Sequence, residues 1–259
     1  MITIKSEQEL EKMRVAGQVV AQILEELARL VKPGISTLDL DRKAEKLAME
    51  RGTLPAFKGY SGYRHSICAS VNEAVVHGIP NKQPLCEGDI VGIDFGVIYE
   101  GFYGDSALTL SVGKTSGEAD RLMRVTQEAL YCGIEQAWPG NHVHDISHAV
   151  QKHLEGASYS VVRELVGHGI GRRLHEEPQV PNYGRLGTGA ELQAGMVIAI
   201  EPMANVGGPA VRFLPDGWTV VTRDGSLSAH FEHTVAVTKE GPEVLSLRSE
   251  EKEWARKRR

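Results

Sequence analysis

The sequence predicts an α/β chain of one domain built twice, each half running helix, helix, then sheet. Two repeated patterns carry this. Ile90-Val91-Gly92-Ile93-Asp94 and Val197-Ile198-Ala199-Ile200-Glu201 are both apolar up to a closing acid, and Gly88 and Gly195 precede them at the same offset. Pro33-Gly34 followed by Asp39-Leu40 recurs as Pro139-Gly140 followed by Asp145-Ile146, each copy joining two helix-like segments. The halves are expected over about 1–112 and 113–247 of a single domain spanning 1–247, with a charged tail over 248–259.

In chain order, 6–31 reads as a helix, with Leu10, Met13, Val20, Ile23, Leu27 and Leu30 at helical spacing and Ser6 with Glu9 as a capping box. A second helix is expected over 37–51, stopped by Gly52. Helices over 116–138 and 144–155 repeat that order. The short apolar runs 90–94 and 197–201 read as buried strands. After Asp94 a hairpin turns near Glu100-Gly101. A turn at Tyr99-Glu100 sets Asp94 opposite Asp105, while a turn shifted by one residue sets it opposite Ala107. Residues 159–166 are strand-like, as are 230–237, where Phe231, His233, Val235 and Val237 share one face and Glu232 lies on the other.

At 259 residues, 41% hydrophobic and 24% charged, the chain is long enough for one large core. A net charge of -5 gives no reason to expect specific nucleic-acid binding. No apolar run approaches the roughly 20 residues that cross a bilayer, and 1–10 lacks a signal-peptide core. Cys68, Cys86 and Cys132 form no CxxC pair and leave one over in any disulfide scheme, which suits a reducing compartment. The expected location is cytoplasmic, with no membrane partner.

A carboxylate ending a buried strand is poorly solvated, and leaving it unpaired costs several kcal/mol or more. Two equivalent cases, Asp94 and Glu201, therefore point to a shared cation site. Acids facing each other across a hairpin repel unless a cation lies between them, which adds Asp105, and Glu232 is its second-half counterpart. Gly167-His168-Gly169-Ile170-Gly171 offers an imidazole whose flanking glycines permit close approach. That string is no dinucleotide fingerprint, since Arg172 stands where the third glycine belongs. His175-Glu176 opens like a zinc-protease helix, but residue 179 is Gln and Pro178 would break the helix. His144 and His148, four apart, read as a solvated helix face.

Asp94, Asp105, His168, Glu201 and Glu232 follow the order and context of the five metal ligands of methionine aminopeptidases, and the chain resembles the type I, bacterial form. The resemblance runs from the first helix to about Leu247. Its strings include Ser70-Val71-Asn72-Glu73, His77-Gly78-Ile79-Pro80, Gly104-Asp105, His175-Glu176-Glu177-Pro178, Ile200-Glu201-Pro202 and Phe231-Glu232-His233-Thr234. The resemblance implies the pita-bread fold, a pseudo-symmetric α/β domain with a curved antiparallel sheet backed by helices. It implies a methionyl aminopeptidase that removes the initiator methionine from nascent polypeptides, using two divalent ions that activate water.

In that scheme Asp105 and Glu232 bridge the ions, Asp94 completes one shell, and His168 and Glu201 complete the other. Glu201 shuttles the proton. His175 steadies the tetrahedral intermediate, and His77 contacts the peptide near the cut bond. The methionine pocket falls to Cys68, Trp218 and Tyr60, with Phe57 and Tyr63 as competing wall residues and Leu174 where a Phe is common. An oxygen-rich donor set without thiolate favours Mn, Fe(II) or Co, with Zn a lesser fit. The resemblance also implies a monovalent cation on backbone oxygens near Asn72, Ala74 and Ser228. The expected partners are peptides with an N-terminal Met, the protein itself being a monomer; the basic tail reads first as a solvated, frayed end and second as a contact with the ribosome. Two readings compete: a Xaa-Pro aminopeptidase or prolidase, which shares the five ligands but carries an additional amino-terminal domain, and a metal-free peptide-binding module, which loses them.

Overall fold

Ser6 opens the first helix, α1 (Glu7–Leu30), with both arms of the capping box formed. The Glu9 carboxylate accepts from the Ser6 N–H at 2.9 Å, and Ser6 Oγ accepts from the Glu9 N–H. Leu10, Met13, Val20, Ile23 and Leu27 of α1 are buried, whereas Leu30 at its end is exposed. Ser36 caps α2 (Thr37–Glu50). In the second half α3 (Gly117–Ile134) ends short of the predicted Trp138, which is exposed, and α4 (Val143–Gly156) follows. The computed structural model describes residues 2–252 and 254.

Nine strands form one antiparallel sheet. In chain order they are β1 (Leu54–Pro55), β2 (Ile67–Val71), β3 (Ile90–Tyr99), β4 (Phe102–Ser111), β5 (Gly167–Gly169), β6 (Glu176–Val180), β7 (Val197–Ile200), β8 (Glu232–Thr238) and β9 (Gly241–Val244). The path across the sheet is β1-β3-β4-β8-β7-β5-β6, with β2 also on β3 and β9 also on β8. First-half and second-half strands therefore meet where β4 pairs with β8. The helices cover the sheet: α1 crosses β3 and β4, and α3 packs on α4. The main core lies between helices and strands, with Ile23, Leu27, Ile93, Phe95, Leu130, Ile146 and Ile198 in one cluster.

The β3–β4 hairpin turns one residue later than the register that sets Asp94 opposite Asp105. Tyr99 pairs with Phe102, and the loop residues Glu100 and Gly101 both have positive φ, 47° and 81°. Such a two-residue turn matches the twist of its strands. Asp94 is thus opposite Ala107 and Asp105 opposite Gly96, so the two acids are diagonal neighbours on one face instead of a direct pair.

Two strand predictions also change. Of 159–166 only Ser160–Val161 pairs, in a separate small sheet with Met203–Asn205 and Ser228–His230. The run 230–237 breaks at Phe231, leaving His230 in that small sheet while Glu232 opens β8. A third sheet joins Ala74–Val76, Val220–Thr222 and Val211–Phe213.

The reading of 248–259 as a charged tail fails at its start. Arg248 is fully buried, Glu251 is buried, and the two pair at 2.6 Å. Packing thus continues past 247; residues 253 and 255–259 lie outside the described residues. Among the described residues no helix is long and apolar enough to cross a membrane, and none of the three cysteines is in a disulfide.

Candidate metal centre

The sheet brings the five expected ligands together from five adjacent strands. Asp94 lies on β3, Asp105 on β4, His168 on β5, Glu201 just past the end of β7, and Glu232 at the start of β8. Register explains the convergence: Glu232 pairs with Ala107, His233 with Ile200, and His168 with Ala199. Asp105, His168 and Glu232 each offer a ligand atom within 4.8 Å of the others'. His168 Nε2 is 3.6 Å from Glu201 Oε1. All five border a cavity of about 240 Å³.

The electrostatics fit a cation. Burial, then repulsion from Asp105, holds the carboxyls of Asp94, Glu201 and Glu232 well above the usual range, and burial pushes Asp105 up to about 7. Asp94 Oδ1, Asp105 Oδ1 and Glu232 Oε1 are buried without a hydrogen-bond partner among the described residues. Buried polar atoms of native proteins are rarely orphaned. Burial drives His168 down to about 3, so its ring is neutral. Its Nδ1–H donates to Gly169 O at 2.9 Å, which leaves the Nε2 lone pair for a ligand bond. Four buried oxygen acids and one oriented imidazole thus form a donor set for divalent cations.

The acids are themselves held. Thr234 Oγ1 accepts from the Asp105 N–H at 3.0 Å and donates to the Asp105 carbonyl at 2.7 Å. Ser106 Oγ donates to the Glu232 carbonyl at 2.6 Å, and Asn182 Nδ2 donates to the Glu201 carbonyl at 2.9 Å.

Around this floor stand the other expected residues. His77 has φ 58°, a conformation costly for a residue with a Cβ, and burial pushes its ring down to about 4. His175 precedes β6, its ring edge-on to His168 with centroids 4.4 Å apart. Tyr60, Cys68 and Trp218 line the cavity, and so do Phe57, Tyr63 and Leu174, so the competing aromatic candidates all border it. Cys68 pairs with Asp94 across β2 and β3, and burial raises its thiol, which stays protonated. Tyr63 donates to Ile67 O at 2.9 Å and packs edge-on against Trp218.

His230 was not among the expected residues, yet it belongs here. It is buried, with Nε2 3.8 Å from Glu201 Oε2 and otherwise unpartnered among the described residues. Its place two positions before Glu232 was the available signal. His144 lies elsewhere, its Nδ1 at 2.7 Å from Thr188 Oγ1. At the expected monovalent-cation position Asn72 has φ 55°, and its carbonyl accepts from the Ser228 N–H at 2.9 Å.

The model of Metallopeptidase family M24 matches residues 11–239. The chain belongs to metallopeptidase family M24. Its relatives include a methionine aminopeptidase from Clostridium perfringens, 51% identical over 247 residues, which make up 95% of this chain and 99% of that one. The crystal structure of methionine aminopeptidase from Rickettsia prowazekii matches with a TM-score of 0.94 at 45% identity, covering 95% of this chain and 100% of that one. A Xaa-Pro dipeptidase from Bacillus anthracis shares the fold alone, with a TM-score of 0.74 at 22% identity, and the chain covers 61% of its length. The architecture is thus the M24 pita-bread fold. The family uses a divalent metal, and the buried acids and His168 offer a donor set that fits one.

Proposed function

We propose that this M24 chain is a methionyl aminopeptidase, a hydrolase that removes the N-terminal methionine from peptides. The observation that carries this is the buried cluster of four acids and a neutral imidazole, set beneath a small cavity walled by aromatic rings, Leu174 and a protonated thiol. At about 240 Å³ the cavity falls below the roughly 300–1,000 Å³ of pockets for larger ligands, as suits one side chain. A flexible thioether makes favourable contacts with such walls.

In this reading Asp94, Asp105, His168, Glu201 and Glu232 would hold two divalent cations. Bound there, such cations polarise a carbonyl and acidify a water. Glu201 accepts the water's proton and passes it to the leaving amine. His175 donates from Nε2 to the carbonyl oxygen as negative charge develops on it. His77 contacts the peptide beside the bond being cut. The donor set favours Mn, Fe(II) or Co. Newly made polypeptides in the cytoplasm, met as they leave the ribosome, are the substrates that fit this activity.

The Xaa-Pro reading is not favoured, because the relatives at about half identity are methionine aminopeptidases whereas the Xaa-Pro dipeptidase shares only the fold. A metal-free binding module would have no need of the buried acids. Release of methionine from Met-Ala and Met-Pro peptides, beside Xaa-Pro peptides, tests the reading with chelated and Mn- or Co-reconstituted protein. Methionine release that chelation abolishes is expected. Cleavage of the Xaa-Pro set alone, or release that survives chelation, overturns it.

A further inference from the structure

Arg248 heads the fully buried side chains by size among the described residues, and no step above uses it. A guanidinium taken out of water persists only when paired and hydrogen-bonded. Its partners lie on both sides of the joint between the halves. Nη1 donates to Ser106 Oγ on β4 at 3.1 Å, and Nη2 donates to Glu251 Oε1 at 2.6 Å. Glu251 in turn is tied to β8. The Thr234 N–H donates to Ser246 Oγ at 3.0 Å, and that hydroxyl donates to His233 Nδ1 at 2.9 Å. The ionised Glu251 carboxylate only accepts, so the neutral His233 ring carries its proton on Nε2 and donates to Oε1 at 3.2 Å.

The joint that these bonds span is thin. β4 and β8 pair only at Ala107 with Glu232 and at Ser106 with His233. Across it stand Asp105, one residue before Ser106, and Glu232, one residue before His233. Two buried acids side by side push such a short ladder apart whenever both are ionised. Ser106 already bridges it, accepting from Arg248 while donating to the Glu232 carbonyl.

We propose that Arg248 and Glu251 form a buried clamp that sets the spacing of Asp105 and Glu232, making the C-terminal segment part of the divalent-cation site. This rests on the reading that those acids bind divalent cations. Arg248 is a positioning residue: it lies outside the cavity lining and acts through Ser106 and Glu251. A planar guanidinium holds two partners at a fixed angle, which an ammonium on a flexible stem does not.

The test is Mn(II) titration calorimetry on metal-free wild type, Arg248→Met, Arg248→Lys and Ser106→Ala, with urea unfolding of each. Partners outside the ligand shell are typically worth roughly tenfold to a hundredfold in metal affinity. Such a loss is expected for both Arg248 variants, and a smaller one for Ser106→Ala. Wild-type Mn(II) affinity in folded Arg248→Lys and Ser106→Ala overturns the clamp, even where stability has dropped, because that is the signature of a merely structural role. Should Arg248→Met fail to fold, the other two variants decide. A wild-type protein that binds no Mn(II) overturns the reading of the site first, and the clamp falls with it before any variant is compared.

Discussion

The hydroxyl of Tyr60 stands 2.6 Å from Nδ1 of His175. Burial pushes the His175 ring down, so it is neutral near neutral pH and carries one N–H. With Tyr60 donating to Nδ1, that proton sits on Nε2, the nitrogen then able to donate to a substrate carbonyl. Tyr60→Phe keeps the ring and removes the bond, worth about 1 kcal/mol, so kcat/KM on a Met-Ala peptide should fall by about fivefold. His175→Ala should cost roughly tenfold to a thousandfold. Adding Tyr60→Phe to His175→Ala should then change nothing further; an equal loss in both backgrounds would show that Tyr60 acts independently of His175.

Glu201→Gln preserves volume and removes the group assigned to carry the proton. Turnover should drop by roughly a hundredfold or more. The metal-free fold should not suffer, because one of four mutually repelling buried acids has become neutral. Single-turnover hydrolysis beside differential scanning calorimetry checks both halves of this. A rate near wild type refutes the proton-shuttle role.

These residues were legible because their signals are local. Ser6 and Glu9 announce a helix start within four residues, and Asp94 and Glu201 stand out because each closes a buried apolar run. The hairpin register was not fixed in the same way. It depends on whether Glu100-Gly101 or Tyr99-Glu100 forms the loop, and the left-handed backbone of Glu100 and Gly101 decides it. His230 is not legible as a site residue because pairing at 230–237 passes from one sheet to another at Phe231. Arg248 looked like part of a solvated tail because its partners Ser106 and Glu251 are meaningful only once β4 and β8 lie side by side. Burial of a charge is a tertiary fact that local composition does not carry.

Lys5 and Glu176 form an ion pair at 2.9 Å with both side chains nearly inaccessible, 5% and 4% exposed. Glu176 also accepts from the Arg173 N–H at 3.1 Å and from the Thr3 hydroxyl, so the pair braces the turn that carries Leu174 and His175. Lys5→Met leaves the carboxylate buried and unpaired, which should cost about 3–5 kcal/mol in urea unfolding. The double variant Lys5→Met/Glu176→Gln should recover most of that loss. If it recovers none, packing of the lysine stem, and not its charge, is what stabilises the turn.

Removal of divalent cations should give this fold an unusual dependence on pH. Two sets of groups titrate. His77, His168 and His230, pushed by burial to about 4, 3 and 3, hold fewer protons folded than unfolded, so below about pH 6.5 they make stability rise with pH. Burial raises the acids instead, Asp105 to about 7 and Asp94, Glu201 and Glu232 well above the ordinary carboxylate range, so the fold holds more protons than the unfolded chain, whose acids titrate near 4. Above about pH 6.5 less than half of each histidine is still protonated in the unfolded chain, so the four acids outweigh the three histidines. Stability of the chelated protein must then fall as pH rises through 7 toward about 8. Bound cations need ionised acids, so in the Mn(II)-loaded protein this decline should vanish or reverse. Thermal scans between about pH 6.5 and about pH 8, with and without chelator, measure the difference. Parallel curves would mean that the acids are already ionised in the empty site and that cations do not compensate their charge.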